Sequence, residues 1–205
     1  MVGVRLAELG LVERDSELLV FGPIRCSINS YAADGRATGS WLGLPGTVLQ
    51  GGTLNFETNC MVVVENLTPF ELLAKTCAKA GAWPFVGLFG GGYLSSTGDA
   101  LVRKAIETGV RNITVWADMD PDGILLAQDL IDLVSSSGAL ATAVAMDSDT
   151  FRGASRSYAI QPSRLQLLSE HLPRLIQPLA ELAGEILSSG RGVEQEAVLS
   201  EGLKV

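Results

Sequence analysis

The stretch VWADMDPDGILLAQDL, residues 115–130, runs from a β-type apolar segment into an amphipathic helix through a turn that carries three aspartates and no basic residue. Upstream of the turn, 112–117 is β-branched and aromatic and reads as a strand; downstream, 124–136 has the apolar spacing of a helix, with Gly138 as its stop. The same alternation extends in both directions. The run 61–64 (MVVV) precedes a helical stretch at 68–80, for which Thr68 is the expected N-cap, Pro69 the first helical residue and Gly81 the stop. A second apolar run at 83–89 precedes a helix from Ser95 or Ser96 to Thr108, closed by Gly109, and 139–146 supplies a fourth run. Continuous apolar runs separated by helices predict parallel strands buried on both faces, because crossover helices cover the sheet above and below. The expected fold is therefore α/β, a doubly wound parallel sheet of about four strands spanning 60–160.

Residues 1–59 differ. Turn formers recur there (Gly22-Pro23, Asp34-Gly35, Pro45-Gly46, Gly51-Gly52) between short apolar runs such as 18–21, which predicts an irregular or β-rich segment packed on the sheet. Residues 161–205 are expected to complete the domain with helices broken near Pro173 and Pro178, followed by a short tail after the glycines at 190–192. The 205 residues, 47% apolar and 19% charged, suit one principal domain and exclude wholesale disorder. No apolar run reaches the roughly 18 residues of a membrane span, and the N-terminal stretch MVGVRLAELGLVERD has no secretory pattern, so a soluble, cytoplasmic protein is expected. Cys26, Cys60 and Cys77, an odd number without CxxC spacing, read as reduced thiols.

Ligands of open α/β sheets bind beyond the carboxyl ends of the strands, and those ends carry the chemistry in this sequence. The first strand leads into Glu65-Asn66, the second into Gly90-Gly91-Gly92, the third into Asp118, Asp120 and Asp122, and the fourth into Asp147 and Asp149. Carboxylates gathered at one edge repel one another unless a cation neutralises them. Oxygen ligands favour Mg²⁺ or Mn²⁺ over zinc, and the single histidine, His171, lies far along the chain. The glycine run offers backbone N–H groups that a phosphate can approach. Taken singly, each residue has an ordinary structural reading: Asp118 to Gly123 as turn chemistry, Asp147 and Asp149 as caps, the glycines as a loop. Asp118, Asp120, Asp122, Gly123 and Asp129 also fit several positions of an EF-hand loop, although the run 113–116 before them is β-type where that motif needs a helix. An aspartyl-phosphate phosphatase, with Asp118 as nucleophile and Asp120 as acid/base, leaves Glu65 without a role.

A strand followed by Glu65, a glycine turn after the second strand, and a strand ending in Asp118-x-Asp120-x-x-Gly123 resemble the Toprim domain of topoisomerases, primases and nucleases. Within that group VVVENLTPFELL (62–73), FGGGYLSS (89–96), VWADMDPDGILLAQDL (115–130) and GRGVEQEAVL (190–199) are most similar to the C-terminal domain of JetD, the nuclease subunit of Wadjet plasmid-defence systems. The resemblance covers about residues 60–200. It implies a Mg²⁺- or Mn²⁺-dependent DNA endonuclease in which Glu65 is metal ligand or general base and Asp118 and Asp120 are metal ligands. Asp122, where the family leads one to expect Gly or His, and Asp147 would stand behind the ligands, and Arg152 and Arg156 are the candidate DNA contacts. The implied partners are DNA, subunits of an SMC-like ATPase complex and a second copy of the chain. Members of that family are longer, so the chain is expected to be a truncated or degenerate member or a single domain of one. The alternatives are a non-catalytic Toprim-fold interaction module, a fragment like the topoisomerase VI A subunit, and the phosphatase above.

With 15 basic against 23 acidic side chains the formal charge is -8, which argues against DNA binding by bulk electrostatics. One or two divalent ions at the acidic edge would add about two to four positive charges where a phosphate must approach. Acidity then points to binding through metal and partner subunits instead of a basic face.

Overall fold

The computed structural model describes residues 17–199. The expectations for residues 1–16, including the absence of a secretory pattern, and for 200–205 lie outside the described residues. In chain order the first elements are β1 (Glu17–Phe21), β2 (Ile24–Ile28), β3 (Tyr31–Asp34), β4 (Leu42–Pro45), the short helix α1 (Val48–Gly51) and β5 (Thr53–Phe56). The alternating part comprises β6 (Cys60–Val64), α2 (Leu67–Ala80), β7 (Val86–Phe89), α3 (Ser96–Glu107), β8 (Asn112–Trp116), α4 (Pro121–Ser135) and β9 (Leu140–Ala143). It continues into α5 (Ser148–Gly153), β10 (Tyr158–Ala159), α6 (Pro162–His171), a 3-10 turn at Leu172–Arg174, α7 (Leu179–Ser189), β11 (Arg191–Gly192) and α8 (Gln195–Leu199).

The main sheet has six strands in the order β4-β1-β7-β6-β8-β9. Strands β7, β6, β8 and β9 are mutually parallel, as the continuous apolar runs require. Two further strands come from the lead-in: β1 pairs antiparallel with β7, and β4 antiparallel with β1. The sheet is thus larger than the four strands expected, and part of the lead-in belongs to it instead of lying on it. The join depends on Gly87, which faces Phe21 in the register; a Cβ there would lie 2.1 Å from the Phe21 ring. The rest of the lead-in, β3-β2-β5, forms a separate antiparallel sheet.

Side chains alternate between the two faces of the parallel strands, and each face buries its own core. Met61, Val63, Val86, Leu88, Ile113 and Val115 pack with Leu101, Val102 and Ala105 of α3 and Ile124, Ala127 and Leu130 of α4. Val62, Val64 and Trp116 face the other way, toward Phe70, Ala74 and Cys77 of α2, where the Phe21 and Phe70 rings lie 5.1 Å apart. Helices on both faces make the sheet doubly wound. Leu168 of α6 and Leu179, Leu182 and Ile186 of α7 extend the first core, so the C-terminal helices complete it. Buried Gln128 of α4 anchors them: its Oε1 accepts the Ile176 N–H (2.9 Å) and its Nε2 donates to Asp132 (2.9 Å).

Several boundaries move for physical reasons. α2 begins at Leu67 with Asn66, not Thr68, as N-cap, and α4 begins at Pro121 with Asp120 as a true cap accepting from the Gly123 N–H. β7 starts at Val86, because Trp83 and Phe85 pack into the aromatic cluster around Phe21. β9 ends at Ala143, and Ala145 takes a left-handed φ of 52° as the chain leaves the sheet. The segment 113–116 lies inside β8, which removes the EF-hand alternative. Among the described residues no helix is long and apolar enough to cross a membrane.

Candidate functional site

From β6 the chain crosses to β7 on one side, then returns over β6 to β8 on the other. The strand order therefore reverses between β6 and β8, and such a switch point opens a crevice beyond the carboxyl ends of the two strands. Val64 pairs with Trp116 in register, so Glu65 and Asp118 emerge on opposite lips of that crevice. The Glu65 N–H donates to the Trp116 carbonyl (3.0 Å), and the Asp118 N–H then donates to Oε2 of Glu65 (2.9 Å). Oδ1 of Asp118 in turn accepts from Nδ2 of Asn66 and from the Gln195 N–H, both at 2.8 Å. Asn66 caps α2 without its side chain because that amide is turned to Asp118.

Gln195 is a site residue to which the sequence assigned no chemistry. It is 1% exposed; its Oε1 accepts the Asn66 N–H (2.9 Å) and its Nε2 donates to the Trp116 carbonyl (2.9 Å). In the sequence its mark is membership of the stretch GRGVEQEAVL (190–199) that carries the family resemblance, which says nothing about its partners.

Asp120 joins the site through its cap position. Its Oδ1 accepts from the Gly123 N–H and its Oδ2 from the Tyr158 hydroxyl, each at 2.8 Å. The other predicted acids are spread more widely than the sequence implied. Asp122 pairs with Arg164 (3.1 Å), Asp147 caps α5 through the Thr150 N–H and hydroxyl, and Asp149 is solvent-exposed beside Arg152 (3.2 Å). Arg152 is also bound to Glu185, while Arg156 lines a groove of about 270 Å³ with Tyr158, Glu194 and Glu196. The glycine turn does not offer a full phosphate cradle: the Gly90 N–H donates to the Val64 carbonyl (2.7 Å) and the Gly91 N–H to that of Glu65 (3.0 Å). Both donors are taken because the turn folds back over the end of β6.

Burial is the main reason the Glu65 carboxyl is pushed up to about 7, and the charges of Asp118, Asp120 and Asp122 add to it against the opposing Asp118 N–H. Asp118 is pushed up to about 6, again chiefly by burial; the Gln195 N–H and Asn66 amide oppose the shift, and Asp120 and Glu196 reinforce it. Both acids hold protons more tightly folded than unfolded. Their contribution to stability is full below the ordinary carboxylate range and is lost as pH rises through about 6 and 7. The metal-free protein should therefore melt at a lower temperature at pH 8 than at pH 5. Glu65→Gln should flatten that dependence and raise the pH 8 melting temperature, by roughly 2–4 °C per kcal/mol relieved in a domain of this size. Thermal melts across the range check this, and an unchanged pH slope in the variant would contradict it.

Among the described residues no three Asp, Glu, His or Cys side chains converge at metal-ligand spacing. The donors nevertheless fit a hard divalent cation. Mg²⁺ typically takes only one or two carboxylates, with water and phosphate completing its sphere. Glu65 Oε1 and Asp118 Oδ2 lie outside the hydrogen bonds above, on two acids whose raised proton affinity a cation would relieve. Asp120 is the committed member, since Tyr158 occupies Oδ2. Tyr158→Phe removes one partly exposed hydrogen bond, so it should cost no more than about 1 kcal/mol and leave Mn²⁺ affinity unchanged or tighter. A denaturant melt and a Mn²⁺ titration of the variant test this. No family model matches the chain, and no curated protein is detectably similar to it.

Proposed function

We propose that the chain is a Toprim-type domain that hydrolyses DNA phosphodiesters with Mg²⁺ or Mn²⁺, as the nuclease part of a Wadjet-like plasmid-defence assembly that includes SMC-like ATPase subunits. The observation that carries this reading is the pair of half-buried acids, Glu65 and Asp118, in contact across the switch point of a doubly wound sheet. Support also comes from their order along the chain, strand and Glu65, glycine turn, strand and Asp118-x-Asp120, which is the layout of the family the sequence resembles.

In this reading Glu65 and Asp118 hold the cation, with Asp120 beside them. Once bound, the ion supplies positive charge that offsets the acids and polarises the phosphodiester. The chain's own residues do the rest. The Asp118 N–H fixes Oε2 of Glu65, so Oε1 is the oxygen left to face the cation. Arg156, in the groove beside Tyr158, is the better placed DNA contact, because Arg152 would have to leave Glu185 and Asp149. A supercoiled-plasmid assay with Mg²⁺ or Mn²⁺ tests the reading: nicking or linearisation is expected, halted by chelation, and full activity in Glu65→Gln would refute it.

A second reading, a non-catalytic Toprim-fold interaction module, is favoured by one observation: both Asp120 oxygens are already engaged, by Gly123 and Tyr158. It predicts no Mn²⁺ binding in the millimolar range even with DNA present.

A further inference from the structure

We infer that Gln195 is a positioning residue that sets the spacing of Glu65 and Asp118; its role toward a cation rests on the reading above, its role in spacing the two acids does not. The regular hydrogen bonding between β6 and β8 ends where the Glu65 N–H meets the Trp116 carbonyl. Beyond that point the strands part to form the crevice, and the next groups along, the Asn66 N–H among them, have no strand partner. The side-chain amide of Gln195 enters there and behaves as one more peptide unit. Its Oε1 accepts the Asn66 N–H on one lip and its Nε2 donates to the Trp116 carbonyl on the other, both at 2.9 Å. Its own main-chain N–H holds Oδ1 of Asp118 at 2.8 Å.

Few side chains can fill this place. The position needs one acceptor and one donor at fixed separation, in a site 1% exposed where an unmatched polar group is costly. Asparagine is one methylene too short to span both lips, and an ionised glutamate cannot donate to the Trp116 carbonyl. The segment that delivers Gln195 is itself tied to the acidic turn. The Met119 N–H donates to the Val193 carbonyl (2.8 Å) and the Val193 N–H to that of Met119 (3.0 Å), two residues before the glutamine. The C-terminal segment thus clasps β6 and β8 at the width that puts Asp118 within reach of Glu65. Both polar ends of the Gln195 amide are used in the clasp, so it acts through Asn66, Trp116 and Asp118 and not as a ligand itself.

Amide hydrogen exchange reads the clasp without metal. In Gln195→Leu, which keeps the volume and removes both amide contacts, the Asp118 N–H that reports the Glu65 contact should exchange at least tenfold faster, while Val63 and Val115 within the strands keep wild-type rates. If the leucine variant does not fold, Gln195→Met is measured in its place. Val134→Ala serves as the stability control, being buried near the far end of α4, about 20 Å from the site at 1.5 Å per residue; it should leave Asp118 exchange near the wild-type rate. An unchanged Asp118 rate in the Gln195 variants, or an equal acceleration in Val134→Ala, overturns the inference. A Mn²⁺ titration of the same proteins separates it from the nuclease reading. Tenfold weaker binding in Gln195→Leu supports both, whereas faster Asp118 exchange with no Mn²⁺ binding by the wild type leaves the clasp standing and removes the nuclease.

Discussion

Asp118→Asn is expected to reduce metal-dependent cleavage of plasmid DNA by about 10²–10³-fold or more, the loss that follows removal of one charged group from a preorganised site, while making the metal-free protein more stable at pH 8. The two effects share a cause. Asparagine keeps an oxygen where Oδ1 accepts from Asn66 and Gln195, so the local hydrogen bonds survive. What disappears is a half-buried negative charge that pushes the Glu65 carboxyl up, on a group whose own proton affinity is raised by desolvation and by Asp120 and Glu196. A residue kept for structure loses stability when altered, whereas a charge kept for function at the fold's expense does the opposite. Plasmid cleavage and thermal melts on the same preparation check both halves. Retained cleavage would remove Asp118 from the chemistry, and lost cleavage with a lower melting temperature at pH 8 would make its role structural.

Gly123→Ala should be the most damaging small substitution in the site, lowering stability by at least about 3 kcal/mol and abolishing Mn²⁺ binding with it. A Cβ at Gly123 would lie 2.1 Å from the Asp118 carbonyl oxygen and 3.0 Å from that residue's carbonyl carbon and amide nitrogen. Those are backbone atoms, so no rotamer change relieves the clash. The turn would have to open, and opening it takes away the Gly123 N–H that holds Asp120 and shifts the Asp118 N–H that holds Glu65. Gly153→Ala is the matching control: it has nothing within 4 Å of the added methyl and should change stability by less than about 0.5 kcal/mol. Urea titrations of the two variants decide the matter, and a fully stable Gly123→Ala would mean that the turn is far more plastic than its contacts allow.

The parts of the site that sequence reading reached are those written in local patterns. Asp120 is legible as one of the acids after the third strand, but the apolar spacing starts the helix at 124 and so misses that Asp120 caps α4, although Asp-Pro-Asp-Gly lets a carboxylate take the N–H of the third residue on and proline suits the first helical position. Glu65 and Asp118 are legible because each follows an apolar run, and parallel strands bring such ends to one edge. The glycine turn misled for the converse reason: three adjacent glycines advertise free N–H groups, and only the fold-back onto β6 reveals that Gly90 and Gly91 have spent theirs. Arg152 is a candidate by its position after β9, and its pairing with Glu185, 33 residues away, has no local trace.

The amino-acid sequence by itself determined the doubly wound core, four parallel strands with helices on both faces, because side-chain period and turn chemistry act over a few residues and are legible along the chain. Only the tertiary structure decided how the sheet extends and how the site is held. β1 joins β7 because Phe21 needs the bare face of Gly87, and the acids meet at their observed spacing because Gln195 satisfies an N–H 129 residues away and a carbonyl 79 residues away. Buried polar groups must find partners wherever the fold brings them, so the contacts that hold this site together leave no local trace until the chain has folded.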